Sequence, residues 1–401
     1  MTSNPGPATP PWAPPARALA TPRYAALIRR ARPLPPRGRP RYIHGGRQGY
    51  EALKNAIIRP HRHEYDASEL GPTAFQFGGV WYKRTDVTVK NARGLRLQGS
   101  HWEPVDDFAN SRTSSSSWAT TSAASVSRGG GAGGAAGRPT VVFLHGNSSS
   151  RVEAKTVLAC CLAVGASVFS FDFAGSGRSD GDYVSLGHHE HADVAAVVHH
   201  LRVARGCERI VLWGRSMGAA TALLYGAALK DPTSPLSSGE AAADGAALAG
   251  MVLDSPFSDF TTLADEQVDR ARQSGVMAPG FVVSLLLSYL ADAIKETVGF
   301  DPRSLSPIDG AERATAPALF IVARDDKFIA PAHGRRIHEK YGADKGLLLV
   351  RGSHNTPRPA GLYDATVGFL RHCLRVPTYL VQVRMIAYAY LYSLPRPLSI
   401  T

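Results

Sequence analysis

Cysteine is scarce in this chain. Four in 401 residues are too few for a disulfide scaffold, and two of them, Cys160 and Cys161, are adjacent, which makes a poor bridge. With Cys207 and Cys373 they form no metal-ligand spacing, so buried thiols in a reduced chain are the expected reading. No run of eighteen apolar residues occurs, and none is expected to cross a membrane. The most apolar stretch, Phe281 to Leu290, suits a lid or core helix. A secretory apolar core is also missing, which argues against export. Finally, the first fifty residues contain no acid at all. They hold nine arginines and eleven of the 28 prolines, and so carry nine of the twelve net positive charges. The rest of the chain is close to neutral, with no basic helix face interleaved with aromatics. Nucleic acid is therefore not an expected partner.

What remains has ordinary globular composition, with 44% hydrophobic residues. The proline and arginine content of residues 1–48 predicts a disordered tail or an organellar transit segment. The protein is then cytoplasmic or lies in a plastid or mitochondrion, and an anionic membrane surface is a possible peripheral contact for the tail. Residues 49–376 read as one domain, interrupted by a Ser/Gly-rich insertion at 107–138 and a shorter one at 231–244. Residues 259–307 read as a helical cap over the domain, and 377–401 as a C-terminal extension.

The informative local pattern is Gly214-Arg215-Ser216-Met217-Gly218. A buried strand, Arg209 to Trp213, leads into it, and a helix through Tyr225 starts at once after the serine. A serine pinched between strand and helix sits on a strained turn that lifts its hydroxyl above the sheet, and the glycines two before and two after let the turn close. The same five-residue pattern recurs at Gly177-Arg178-Ser179-Asp180-Gly181, but a turn comes after it instead of a helix, so Ser179 reads as a loop serine.

A nucleophile needs a base, and the base an orienting acid. The apolar strand Ala318 to Val322 ends near Asp325 and Asp326, and the strand Leu347 to Val350 ends near His354. Acid and histidine thus fall just past the carboxyl ends of strands, where an open parallel sheet keeps its active site. Asp254, after the preceding strand, is an alternative acid, and Asp325 a further one. Upstream, the strand Thr140 to Leu144 runs into His145-Gly146-Asn147-Ser148. Such a turn can donate a backbone N–H to an oxyanion, with the residue after the nucleophile giving another, which nominates Asn147 and Met217. His145 precedes the serine and fits a structural turn better than a base. His188, His189, His191, His199 and His200 offer no H-E-x-x-H spacing. On a helix spanning 186–201 they read as polar surface, so no metal is expected.

Taken together, these motifs resemble the α/β-hydrolases of the serine aminopeptidase-like and monoacylglycerol-lipase-like group, particularly plant and algal members. Phe171 to Ser179 resembles the segment after that family's fourth strand, and Asp254-Ser255-Pro256-Phe257-Ser258-Asp259 the segment after its sixth. Tyr82–Asp86 with Asn91–Leu95 resembles its opening hairpin. The likeness runs from about residue 56 to 372. It implies an α/β-hydrolase fold: a mostly parallel central sheet with helices on both faces and a helical cap. The family places its acid before any residue and two apolar ones, which Asp326-Lys327-Phe328-Ile329 matches and Asp325 does not. The resemblance implies a Ser216–Asp326–His354 triad working through an acyl-enzyme, without a cofactor. The implied substrate is a small-molecule or protein-borne carboxylic ester or thioester. An acyl-protein thioesterase and an aminopeptidase-like peptidase stand as variants, and a non-catalytic hydrolase-fold binding protein as the alternative of another class.

Overall fold

The structure is a computed structural model, and it describes residues 46–105, 137–275 and 280–376. Residues 46–48, read from composition as the end of the tail, form the first turn of helix α1 (Gly46–Ile58). The rest of the tail, most of the 107–138 insertion and the extension from 377 lie outside the described residues.

Strands β1 (Ala74–Phe77), β2 (Val80–Lys90) and β3 (Arg96–Pro104) form an antiparallel meander. Strands β4 (Thr140–Leu144), β5 (Ser167–Phe171), β6 (Ile210–Arg215), β7 (Leu248–Asp254), β8 (Ala318–Ala323) and β9 (Lys345–Val350) run parallel to one another. The spatial order is β1-β2-β3-β5-β4-β6-β7-β8-β9, and β3 joins the parallel part by pairing antiparallel with β5. β4, β5 and β8 are buried along their whole length, as strands covered on both faces must be. They are mostly apolar, with only Thr140, Ser167 and Ser170 as polar side chains among them.

Helices α2 (Lys155–Ala163) and α9 (Ala360–Leu374) cover one face, packing Cys160, Cys161, Leu370 and Cys373 into a core that includes Trp213 and Ile321. On the other face, α3 (Glu190–Arg205), α4 (Met217–Ala228) and α8 (Pro331–Lys340) bury residues such as Val197, Leu223 and Ile337 against Leu212, Leu253 and Phe320. All four cysteines are free and buried, and burial pushes the Cys373 thiol up to about 12.

Two expectations need correction. The 231–244 insertion is structured, containing a 3-10 turn at Pro235–Ser237 and helix α5 (Gly239–Gly245). Asp244 is buried there and pairs with His199 and Arg202 of α3. The helix expected over 186–201 starts at Glu190, because Glu190 folds back to accept the N–H groups of Ser185 and Gly187 and so closes a turn before it. His188 consequently lies outside the helix and stacks on Phe300. The described part of residues 259–307 includes α6 (Phe260–Gln273) and α7 (Gly280–Val298), and Tyr50 of α1 donates to the Tyr289 carbonyl of α7. No helix of the described residues is long and apolar enough to cross a membrane.

Candidate active site

β4 is flanked by β5 on one side and β6 on the other, so the chain reverses its direction of travel across the sheet here. The crevice outside the carboxyl ends of strands at such a reversal is where an open parallel sheet binds its ligand. His145-Gly146 follows β4, and Ser216 follows β6. Ser216 has φ 53°, a left-handed conformation that a serine adopts only when its surroundings force it. The reason is close packing. A methyl group on Gly218 would lie 2.1 Å from the Leu144 carbonyl, and one on Gly214 2.2 Å from the Gly218 carbonyl. Only glycines let the turn pass under the end of β4. Backbone bonds fix it further, with the Ser216 N–H donating to the Asp254 carbonyl at 2.8 Å.

His354, in the loop after β9, links the serine to an acid. Its Nε2 is 3.0 Å from Ser216 Oγ and its Nδ1 is 2.7 Å from Asp326 Oδ2. The other Asp326 oxygen accepts the backbone N–H groups of Phe328 and Ile329, both at 2.9 Å, so the carboxylate is fully engaged. Ser216, Asp326 and His354 are 7%, 5% and 9% exposed, leaving a narrow opening to solvent. Phe328, 52% exposed, covers the imidazole with its ring centroid 5.2 Å away. Gln267 and Arg270 of α6 both donate to the Phe328 carbonyl, tying α6 to the loop that carries Asp326.

The other candidates take different places. Asp254 is held by Arg358 through two charged hydrogen bonds, at 2.9 and 2.7 Å, and does not meet His354. Arg358 also donates to the Ser353 carbonyl, so Asp254 anchors the histidine loop from below. Asp325 is exposed and accepts the Gly352 N–H. Ser179 is buried, donating to the Asp172 carbonyl and accepting the Gln98 N–H, a structural role. His145 accepts the Phe173 N–H on Nε2, which leaves its Nδ1 proton for the Gly146 carbonyl. Both ring nitrogens are therefore used in the turn.

Among the described residues, the backbone N–H groups of Asn147 and Met217 have no acceptor in the protein, whereas the Gly146 N–H is taken by Glu153. Gly146 itself comes within van der Waals reach of Ser216, since a methyl group on it would stand 3.7 Å from the serine Cβ. No group of metal-ligating side chains occurs among the described residues.

This sheet order and the turn carrying Ser216 define the class. The chain has the α/β-hydrolase fold. Residues 135–265 match the family described as serine aminopeptidase, S33. A relative from Bacillus subtilis (strain 168), the uncharacterized protein YqkD, is 27% identical over 217 residues, covering 54% of this chain and 64% of that protein. The chain thus spans less than two thirds of the relative it matches. Among solved structures, the Pyrococcus furiosus esterase Pf2001 superposes with TM-scores of 0.50 and 0.51 in two crystal forms, at 17% and 18% identity. These alignments cover 78% and 79% of this chain and 98% of the esterase in each case. At that identity the likeness concerns the fold.

Sequence reading passed over three residues of this site: Arg215, Glu153 and Arg358. Arg215 stands inside the motif itself, but nothing near it in sequence signals its partner, Glu153, which lies 62 residues away. Glu153 and Arg358 likewise gave no signal, since their partners are distant in sequence.

Proposed function

We propose that this protein is a serine hydrolase that cleaves carboxylic esters or thioesters. The observation that carries the reading is the line Ser216–His354–Asp326, in which one imidazole bridges a strained, nearly buried serine and a fully engaged carboxylate. Because Asp326 accepts from Nδ1–H, Nε2 is left with its lone pair directed at Ser216 Oγ. As Oγ attacks the carbonyl carbon, His354 Nε2 takes the hydroxyl proton. The Asn147 and Met217 N–H groups receive the oxyanion. His354 then protonates the departing alcohol or thiol. Water attacks the acyl-enzyme with its proton passing to the same nitrogen, and the serine is regenerated. Every proton in this cycle moves between Ser216, the leaving group, water and His354, and the last one returns from Nε2 to Ser216 Oγ.

An ester or thioester fits better than a peptide, since no acidic subsite for a free amino terminus is identifiable in the sequence. The acyl group is carried by a small molecule or by a protein. Labelling with a fluorophosphonate probe tests the reading: modification at Ser216, lost in Ser216→Ala, is expected. A folded chain that resists the probe and leaves short and long acyl esters and thioesters intact would favour a binding protein instead.

A further inference from the structure

Arg215 precedes Ser216 in the turn, and its guanidinium reaches two other segments of the site. Nη1 pairs with Glu153, while Nη2 donates to the His354 carbonyl at 3.1 Å and to Asn355 Oδ1 at 2.8 Å. Glu153 belongs to the 3-10 turn Arg151–Ala154, and its second oxygen accepts the Gly146 N–H at 2.9 Å. The contacts therefore run Gly146–Glu153–Arg215–His354. They join the turn after β4, the turn after β6 and the loop after β9.

Sheet hydrogen bonding holds only two of these three segments in register. β4 and β6 pair directly, but β7 and β8 stand between β6 and β9, so the histidine loop shares no ladder with either turn. A side-chain bridge is the remaining route, and a planar guanidinium suits it, because its fork presents several donors in fixed directions. The bridge is also charged in place. Burial alone would push the Glu153 carboxyl up, but Arg215 and the Gly146 N–H hold it below the usual carboxylate range.

We propose that Arg215 and Glu153 are a positioning pair that sets His354 and the oxyanion-binding turn relative to Ser216. This rests on the serine-hydrolase reading above. In this role each acts through the backbone it holds, and not through contact with the substrate. A shift of about an ångström in a reacting group can cost about 10²-fold in rate, which is the scale of effect expected here.

A cavity of about 320 Å³, lined by Glu153, Arg215 and Asn355 among others, adjoins the pair. It gives a guanidinium ion a way in, and this allows a test by chemical rescue in the full chain. The kcat and KM for p-nitrophenyl butyrate are measured per site titrated with a fluorophosphonate. Arg215→Ala is expected to lose about 10²-fold in kcat per titrated site with KM within about threefold of the parent. Millimolar guanidinium, but not methylammonium, is expected to restore about tenfold of that loss. Glu153→Gln keeps an acceptor for Gly146 but removes the charge, and is expected to lose about tenfold. Folded Arg215→Ala with kcat per site close to the parent, or with a loss confined to the number of titratable sites, or with no rescue, overturns the proposal. Should Arg215→Ala fail to fold, Arg215→Lys decides. An ammonium can pair with Glu153 but cannot span both loops, so undiminished kcat per site in that variant overturns the pair. A different failure, in which the parent is never labelled or Ser216→Ala retains turnover, removes the serine-hydrolase reading and the pair with it.

Discussion

Replacing Asp326 by asparagine should stop turnover while sparing the fold, and the structure says why. One carboxylate oxygen of Asp326 accepts two backbone N–H groups, from Phe328 and Ile329. An asparagine must keep its carbonyl oxygen there, because an NH₂ group would face two donors. Its NH₂ is then forced into the place of Oδ2, 2.7 Å from His354 Nδ1. A donor at that point demands an unprotonated Nδ1, so the neutral ring carries its proton on Nε2, where it can no longer take one from Ser216. The substitution therefore selects the wrong tautomer, an effect known to cost about 10⁴-fold in a Ser-His-Asp enzyme, or roughly 5 kcal/mol of activation free energy. The loop keeps its two backbone bonds, so the thermal midpoint should fall by no more than a few degrees. Single-turnover labelling and kcat on p-nitrophenyl butyrate, with a parallel melting curve, measure both quantities. Asp326→Asn that folds normally and retains kcat within about tenfold of the parent would refute the tautomer argument.

Other outcomes rest on the same contacts. Asp254→Asn breaks a buried, doubly bonded pair with Arg358 and should cost roughly 3–5 kcal/mol in stability by denaturant titration; a stable but inactive variant would instead move the acid to the end of β7. Ser179→Ala should leave kcat unchanged but lose about 1–3 kcal/mol, because the Gln98 N–H and Asp172 carbonyl lose their buried partner; loss of turnover at full stability would contradict this. Burial depresses His101 to about 3 and His188 to about 4, so between the ordinary histidine value of about 6.5 and these values only the unfolded chain binds the protons. Stability from these two groups is thus complete above about pH 6.5 and falls as pH drops toward 3, and His101→Gln should flatten the acid side of a plot of melting temperature against pH. Residues 1–45, fused to a fluorescent reporter, should confine it to an organelle or give a membrane signal that salt weakens; diffuse fluorescence would reject both.

The parallel strands and the serine turn were legible because their causes are local. An apolar run such as Val141–Leu144 needs cover on both faces, and a serine with glycines two either side, set between a strand and a helix, must close a tight turn. His354 and Asp326 could be nominated from their positions after strands. The sequence left Asp254 and Asp325 as rivals, and by itself it could separate Ser179 from a candidate nucleophile only through the turn at Asp180–Asp182. Tertiary structure decided those matters by proximity. It brought Arg358, 104 residues away, onto Asp254, and set Ser179 against Gln98 and Asp172. It also gave the 231–244 insertion a 3-10 turn and the short helix α5, with Asp244 paired to two basic partners on α3. The Arg215–Glu153–Gly146 bridge belongs wholly to this second category. Local pattern reports what a residue's own backbone must do, whereas the partner of a buried charge is settled by which distant segments the sheet order brings to the same edge.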